Sequence, residues 1–231
     1  MPARSSKQLK PLPRRPTGHG GWRPGAGRKK RPGSDPHLPR ARFAGATPVY
    51  VTVKLAEDAP TLRTAAVARA VWAAVEAGHR ADFRVVHYAV LADQLRFVVE
   101  AAGTQALSRG MQGLTIRLAR RVNAQLGRRG KLFAQRYQAR PLRTPAEVRA
   151  AIGDVLLGAW GAGARRTPGT IDPHASGLWF DGWKAAARTD VAWLRALAKA
   201  GRPTAAPRTA LLARGWRTAG GPLDVDAAPR S

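Results

Sequence analysis

The stretch FRVVHYAVLADQLRFVVEA, residues 83–101, decides the fold. It reads as two apolar strands, 83–92 and 94–101, joined by a tight turn around Asp93. Strand residues two apart share a face, so Leu95, Phe97 and Val99 form a core side while Gln94, Arg96 and Val98 share the other. Two large polar side chains thus converge on the surface opposite the core. Three readings fit them: a solvated edge, a nucleic-acid contact, or the remains of a site that needed two ligands on one face.

Upstream of this hairpin, VYVTVKL alternates, with Val49, Val51, Val53 and Leu55 on one face and Tyr50, Thr52 and Lys54 on the other. This is a first strand. A helix is expected over 61–77, with Val67, Val71 and Val75 on one side. Downstream, Leu107, Met111, Leu114, Leu118, Val122 and Leu126 recur at intervals of three and four across 104–127, leaving Arg117, Arg120 and Arg121 off the apolar stripe. That spacing predicts a long amphipathic helix whose Met and Leu are ordinary core. A basic loop, a short strand at 137–142 and a last helix over 145–160 follow. Thr144, Pro145 and Glu147 form a capping-box start for that helix, and Val148, Ile152, Val155 and Leu156 form its buried side. The order β-α-β-β-α-β-α predicts an α+β domain, an antiparallel sheet with helices packed on it.

Beyond Gly161 the pattern weakens into the Trp-rich SGLWFDGWKAAA, a helix expected over 190–199 and a Pro/Arg-rich end. The expected organisation is a basic disordered arm over 1–46, the α+β domain over 47–161 and a C-terminal extension over 162–231, partly helical with a disordered end.

Charge points to the partner. The 231 residues carry 40 basic against 14 acidic side chains, a formal +26, and 32 of the basic ones are Arg. Such an excess favours a polyanion, and the guanidinium fork suits phosphates and guanine edges. A GC-rich coding bias would also raise Arg, Ala, Gly and Pro together. The arm holds twelve basic residues against the single acid Asp35. Within it GWRPGAGRKKRPG places Arg23, Arg28, Lys29, Lys30 and Arg31 in a stretch resembling minor-groove hooks built on Gly-Arg-Pro, and a solvated linker fits equally. The absence of Cys excludes disulfides and thiolate metal sites. The five His show no ligand spacing, so no metal site is expected. No apolar run reaches membrane-span length and the basic start lacks a signal-peptide core, so a soluble, cytosolic protein is expected.

Four segments in order, PVYVTVK, FRVVHYAVLADQLRFVVEA, RGMQGLTIRLARRVN and RRGKLFAQRYQARPLRTPAEVRAAI, resemble the REP-associated tyrosine transposases, single-tyrosine members of the HUH class of single-strand DNA transposases. The likeness spans roughly residues 48–158. It implies a ferredoxin-like sheet, a bacterial cytoplasmic, nucleoid-associated protein, and a DNA partner, hairpin or single-stranded, bound by a monomer or homodimer.

In that family two His on one strand face hold a divalent ion. A Tyr on the helix after the last strand attacks the phosphate, with an Asn or Gln one turn later. The matching positions here are Gln94, Arg96, Asp154 and Gly158. None keeps the family residue, so the resemblance implies a DNA-binding protein without an intact catalytic set. Mg or Mn is expected only if the family chemistry survives. A transposase or nickase using Tyr137 as nucleophile, and a non-enzymatic RNA-binding protein, are the alternatives. Tyr137 itself is expected to pack or to stack on a base. Tyr50 lies beside the old site, and His87 and Tyr88 are expected at the core edge. The DNA-binding set is the five basic arm residues above with Arg117, Arg120, Arg121, Arg128, Arg129, Lys131, Arg136 and Tyr137.

Overall fold

Each strand and helix that periodicity predicts is present. The computed structural model describes residues 42–158 and 167–227, all inside one unit spanning 39–231. Along the chain run β1 (Ala44–Lys54), α1 (Ala65–Glu76), β2 (Phe83–Val90), β3 (Gln94–Gly103), α2 (Thr104–Gln125), β4 (Gln138–Pro141) and α3 (Pro145–Leu157). The strands form one sheet ordered β2-β3-β1-β4, and every neighbouring pair is antiparallel. The α+β class and element order are those expected. β1 begins at Ala44, inside the segment assigned to the arm.

Alternation sorts the side chains onto two faces. On one, Val49, Val51, Val53, Leu95, Phe97 and Val99 meet the apolar stripes of α1 and α2 in a continuous core. α2 follows β3 with no connecting loop, and Gly103 (φ 152°) sits at the junction. A Cβ at Gly110 would lie 2.1 Å from Phe83 Cγ, so α2 approaches the sheet as closely as glycine allows. On the other face Val86, Ala89 and Val98 pack under Val148, Ile152, Val155 and Leu156 of α3. The register of β2 against β3 shifts between Val85 and His87. This bulge puts the ring of His87 against Phe180, at 5.3 Å and nearly perpendicular. His87 and Tyr88 are both buried.

α3 starts where its sequence says it should: Thr144 Oγ1 accepts from Glu147 N (3.2 Å), and Glu147 Oε2 accepts from Thr144 N (3.1 Å).

The C-terminal segment, which includes α4 (Ala192–Ala200) and α5 (Ala210–Ala213), is partly helical as expected. It is also part of the core: Phe180, Leu212, Trp216 and Leu223 fill the space beside α3. Two carboxylates tie it down. Glu100, 2% exposed, accepts from Arg84 Nη2 (2.6 Å), Thr209 N (2.7 Å), Thr209 Oγ1 (2.7 Å) and Arg208 N (2.9 Å). Asp172, fully buried, is gripped by both terminal nitrogens of Arg63, each at 3.0 Å. The sheet face that carries Gln94 and Arg96 is therefore covered, not open. Among the described residues no helix is long and apolar enough to cross a membrane.

Candidate functional site

Arg96 projects from β3 toward α3, because its position in the strand is one residue out of phase with Leu95 and Phe97. Its Nη1 donates to Asp154 Oδ1 at 2.6 Å. The other carboxylate oxygen of Asp154 accepts the hydroxyl of Tyr50 from β1. For Gln94, two residues before Arg96, the amide orientation assigned from the hydrogen-bond network is the one that sets its oxygen 3.0 and 3.3 Å from Nη2 and Nε of Arg96. At the C-terminal end of α3, a Cβ on Gly158 would fall 2.2 Å from the backbone carbonyl oxygen of Asp154 and 2.7 Å from Arg96 Nη1, so glycine leaves room for both. Arg140, paired with Tyr50 across β1 and β4, lies 5.8 Å from the ring centroid. The four positions that the sequence resemblance singles out thus come together with Tyr50.

The arrangement is a closed charge pair. The side chains of Arg96 and Asp154 are 20% and 35% exposed, so the pair is only partly screened by water. Burial raises the pKa of Tyr50, and the Asp154 hydrogen bond and negative charge raise it further, which holds the phenol protonated as a donor. A divalent ion does not fit this donor set. Arg96 has no lone pair, Gln94 turns its oxygen to the guanidinium, and both oxygens of Asp154 are engaged. Among the described residues no group of three or more His, Asp or Glu is arranged to hold a metal ion.

Beside the pair lies a groove of about 690 Å³ between the sheet edge, α3 and the C-terminal segment, lined in part by Tyr50, Arg140, Arg149, Asp154, Lys184 and Asp224. Arg149 is already used: it donates to the carbonyls of Gly220, Gly221 and Pro222.

The expected DNA-binding residues fall elsewhere. Arg117, Arg120 and Arg121 are exposed on α2, on the other side of the sheet, and Arg129, Lys131 and Arg136 are exposed in the loop that follows. Arg128 is half-buried, donating to Asp58 Oδ2 and to the Lys131 carbonyl, both at 3.3 Å. Tyr137 is half-buried against the α1/α2 core, away from the Tyr50–Asp154 pair. Arg23, Arg28, Lys29, Lys30 and Arg31 lie outside the described residues. Sequence reasoning missed Arg140 and Lys184. Strand pairing opposite Tyr50 would have pointed to the first, and no local signal marks the second.

No protein-family model matches the chain, and no curated protein matches it. Among solved structures the chain is similar to a REP-associated tyrosine transposase bound to a REP hairpin, with 14% identity and a TM-score of 0.41 over 52% of this chain and 70% of that one.

Proposed function

We propose that the chain binds DNA, as a hairpin or single strand, and does not cut it. The observation that carries the reading is the bond between Arg96 and Asp154, two positions where the sequence resemblance expects a metal-holding imidazole and a tyrosine nucleophile. A permanent cation in place of a ligand repels a divalent ion, and a carboxylate in place of the phenol cannot form a phosphotyrosine. Tyr50 is the tyrosine that the fold brings to this place, but its hydroxyl is spent on Asp154 and its raised pKa disfavours the phenolate. The excess of Arg and the exposed basic side chains of α2 and its following loop support an anionic, phosphate-rich partner.

The test is incubation with supercoiled plasmid and with single-stranded DNA in Mg²⁺ or Mn²⁺, followed by a denaturing gel for covalent adducts. Neither nicks nor adducts are expected. Restoring the family residues together, by Gln94→His, Arg96→His, Asp154→Tyr and Gly158→Asn, is expected to give a weak metal-dependent adduct that no single change gives. Metal-dependent adducts formed by the unaltered protein and lost in Tyr50→Phe or Tyr137→Phe would reverse the reading and identify the nucleophile.

A further inference from the structure

The outer face of α2 carries a pattern that neither the core nor the closed site uses. Gln105, Arg109, Gln112, Ile116 and Arg120 recur at intervals of three and four, so they form one stripe along the helix, and all five are exposed. Over its 22 residues α2 has no Asp or Glu. Among the described residues Ile116, 50% exposed, is the only exposed large apolar side chain, and it sits in the middle of this stripe. The side chains of Arg109, Gln112 and Arg120 make no hydrogen bond or ion pair with any described residue, although the charge of Arg109 is felt by Asp82, whose pKa it helps to lower. Arg117 and Arg121 form a basic shoulder on one flank, and Arg129 and Lys131 continue it past the helix end. Asn123, the next residue on the stripe, is committed to the loop through its bond to the Gly130 carbonyl (2.9 Å).

We infer that α2 is a major-groove reading helix for duplex DNA, the stem of a hairpin being the simplest such duplex. The inference rests on the DNA-binding reading above and adds which surface reads and what it reads.

The side chains decide among partners. Arg addresses guanine, Gln addresses adenine, and an exposed aliphatic group meets the thymine methyl, while flanking Arg and Lys take phosphates. From Arg109 to Arg120 the helix rises about 16 Å, enough to span four or five base pairs. A single strand is the poorer partner, because the stripe has no aromatic platform for unstacked bases. Duplex RNA is poorer still, since its A-form major groove is too deep and narrow for side chains to read. An acidic protein surface would satisfy the Arg residues but would leave Ile116 and the Gln pair without a purpose.

The experiment uses the full chain and a library of DNA hairpins with randomised ten-base-pair stems, with sequencing of the bound fraction. A preferred stem sequence of four or five positions is expected. Gln112→Ala is expected to flatten the preference at one or two adjacent positions by about 5- to 150-fold per position, and Ile116→Ala by about 4-fold, as for one methyl group taken out of water. Replacing thymine by deoxyuridine in the preferred stem removes the methyl group. It is expected to weaken the unaltered protein and to leave Ile116→Ala indifferent. Arg117→Ala with Arg121→Ala is expected to weaken all stems alike and to flatten the salt dependence.

A stem preference that survives Gln112→Ala and Ile116→Ala, the absence of any preference among bound stems, or equal binding of the same hairpin made in RNA would each overturn the reading role of α2 while leaving nucleic-acid binding intact. Failure to retain any DNA hairpin at low salt would remove the DNA-binding reading itself, and this inference with it.

Discussion

The two faces of the sheet are built by different means. Under α1 and α2 the contacts are almost wholly apolar, and each element contributes residues at its own short period. Under α3 and the C-terminal segment the apolar patch around Val86, Ala89 and Val98 is ringed by charge: Arg84 with Glu100, Arg63 with Asp172, Arg96 with Asp154. An apolar face adapts to small changes in registry, because dispersion and burial are non-directional. A face held by forked and bidentate bonds demands one geometry, and removal of one partner leaves the other stranded. Both faces bury an apolar cluster that stabilises the domain, and the directional bonds of the second decide what lies over the sheet.

The largest effects should separate the faces by kind more than by size. Phe97→Ala, which empties a fully buried position on the α1/α2 side, is expected to lower the unfolding free energy by about 3–5 kcal/mol in a urea titration, with one transition. Glu100→Ala is expected to lose a comparable 3–5 kcal/mol or so, because Arg84 and the amides of residues 208 and 209 are left without their acceptor. Its signature differs. Limited proteolysis should cut Glu100→Ala first in the C-terminal segment and Phe97→Ala throughout. Identical cleavage patterns would show that the faces do not unfold separately.

Acid should find the second face before the first. Burial, then the charge of Arg202, lowers the His87 pKa to about 3, so the folded protein keeps this imidazole neutral. The unfolded chain binds that proton once the pH drops below about 6.5. His87 therefore costs about 1.4 kcal/mol of stability per pH unit as the pH falls from 6.5 toward 3. His174 acts in the same direction: burial, then Arg63, lowers its pKa to about 4 against the opposing pull of Asp172, and its partial exposure makes its share smaller. Burial alone would raise the pKa of Glu100, but the bonds from Thr209, Arg84 and Arg208 outweigh it and hold it low. Its contribution is present above the usual carboxylate range and is lost as the pH falls through its lowered value. Thermal melts should thus fall from pH 6.5 downward, before carboxylates titrate. A flat melting temperature between pH 6.5 and 5 would mean that His87 is solvated.

These differences explain what could be read from the chain alone. Val49, Val51 and Val53, the stripe from Leu107 to Val122 on α2 and the Thr144–Glu147 capping box are signals that repeat within a few residues, and each appears as expected; Leu126, the last residue expected on that stripe, lies just past the helix end and is half-buried. Alternation also placed Gln94, Arg96 and Val98 on one face, yet it could not say that this face is covered. The cover comes from far along the chain: Thr209 reaches Glu100 across 109 positions, and Arg63 reaches Asp172 across 109. No local period encodes a bond of that span. The candidate site is intermediate. Resemblance to a known motif order brought Gln94, Arg96, Asp154 and Gly158 together as positions, but their bonding to one another, with Tyr50 as third member, depends on where α3 sits over the sheet.

The smallest expected effect tests whether that bonding is a unit. Asp154→Asn keeps the shape and removes the charge, and Arg96→Gln removes the guanidinium. Each should lower stability by only about 1 kcal/mol, because the pair is partly exposed and water replaces some of what is lost. Together they should lose less than the sum, since the second change removes a partner that the first has already left unmatched. Gly158→Ala supplies a further probe, because its new methyl would meet both the backbone carbonyl oxygen of Asp154, at 2.2 Å, and Arg96 Nη1, at 2.7 Å, while leaving both charged side chains in place. It should destabilise the unaltered protein more than the Arg96→Gln variant, in which the second of these contacts is gone. Equal losses in both backgrounds would mean that the Asp154 carbonyl alone limits this position, and that glycine is not there to make room for the guanidinium.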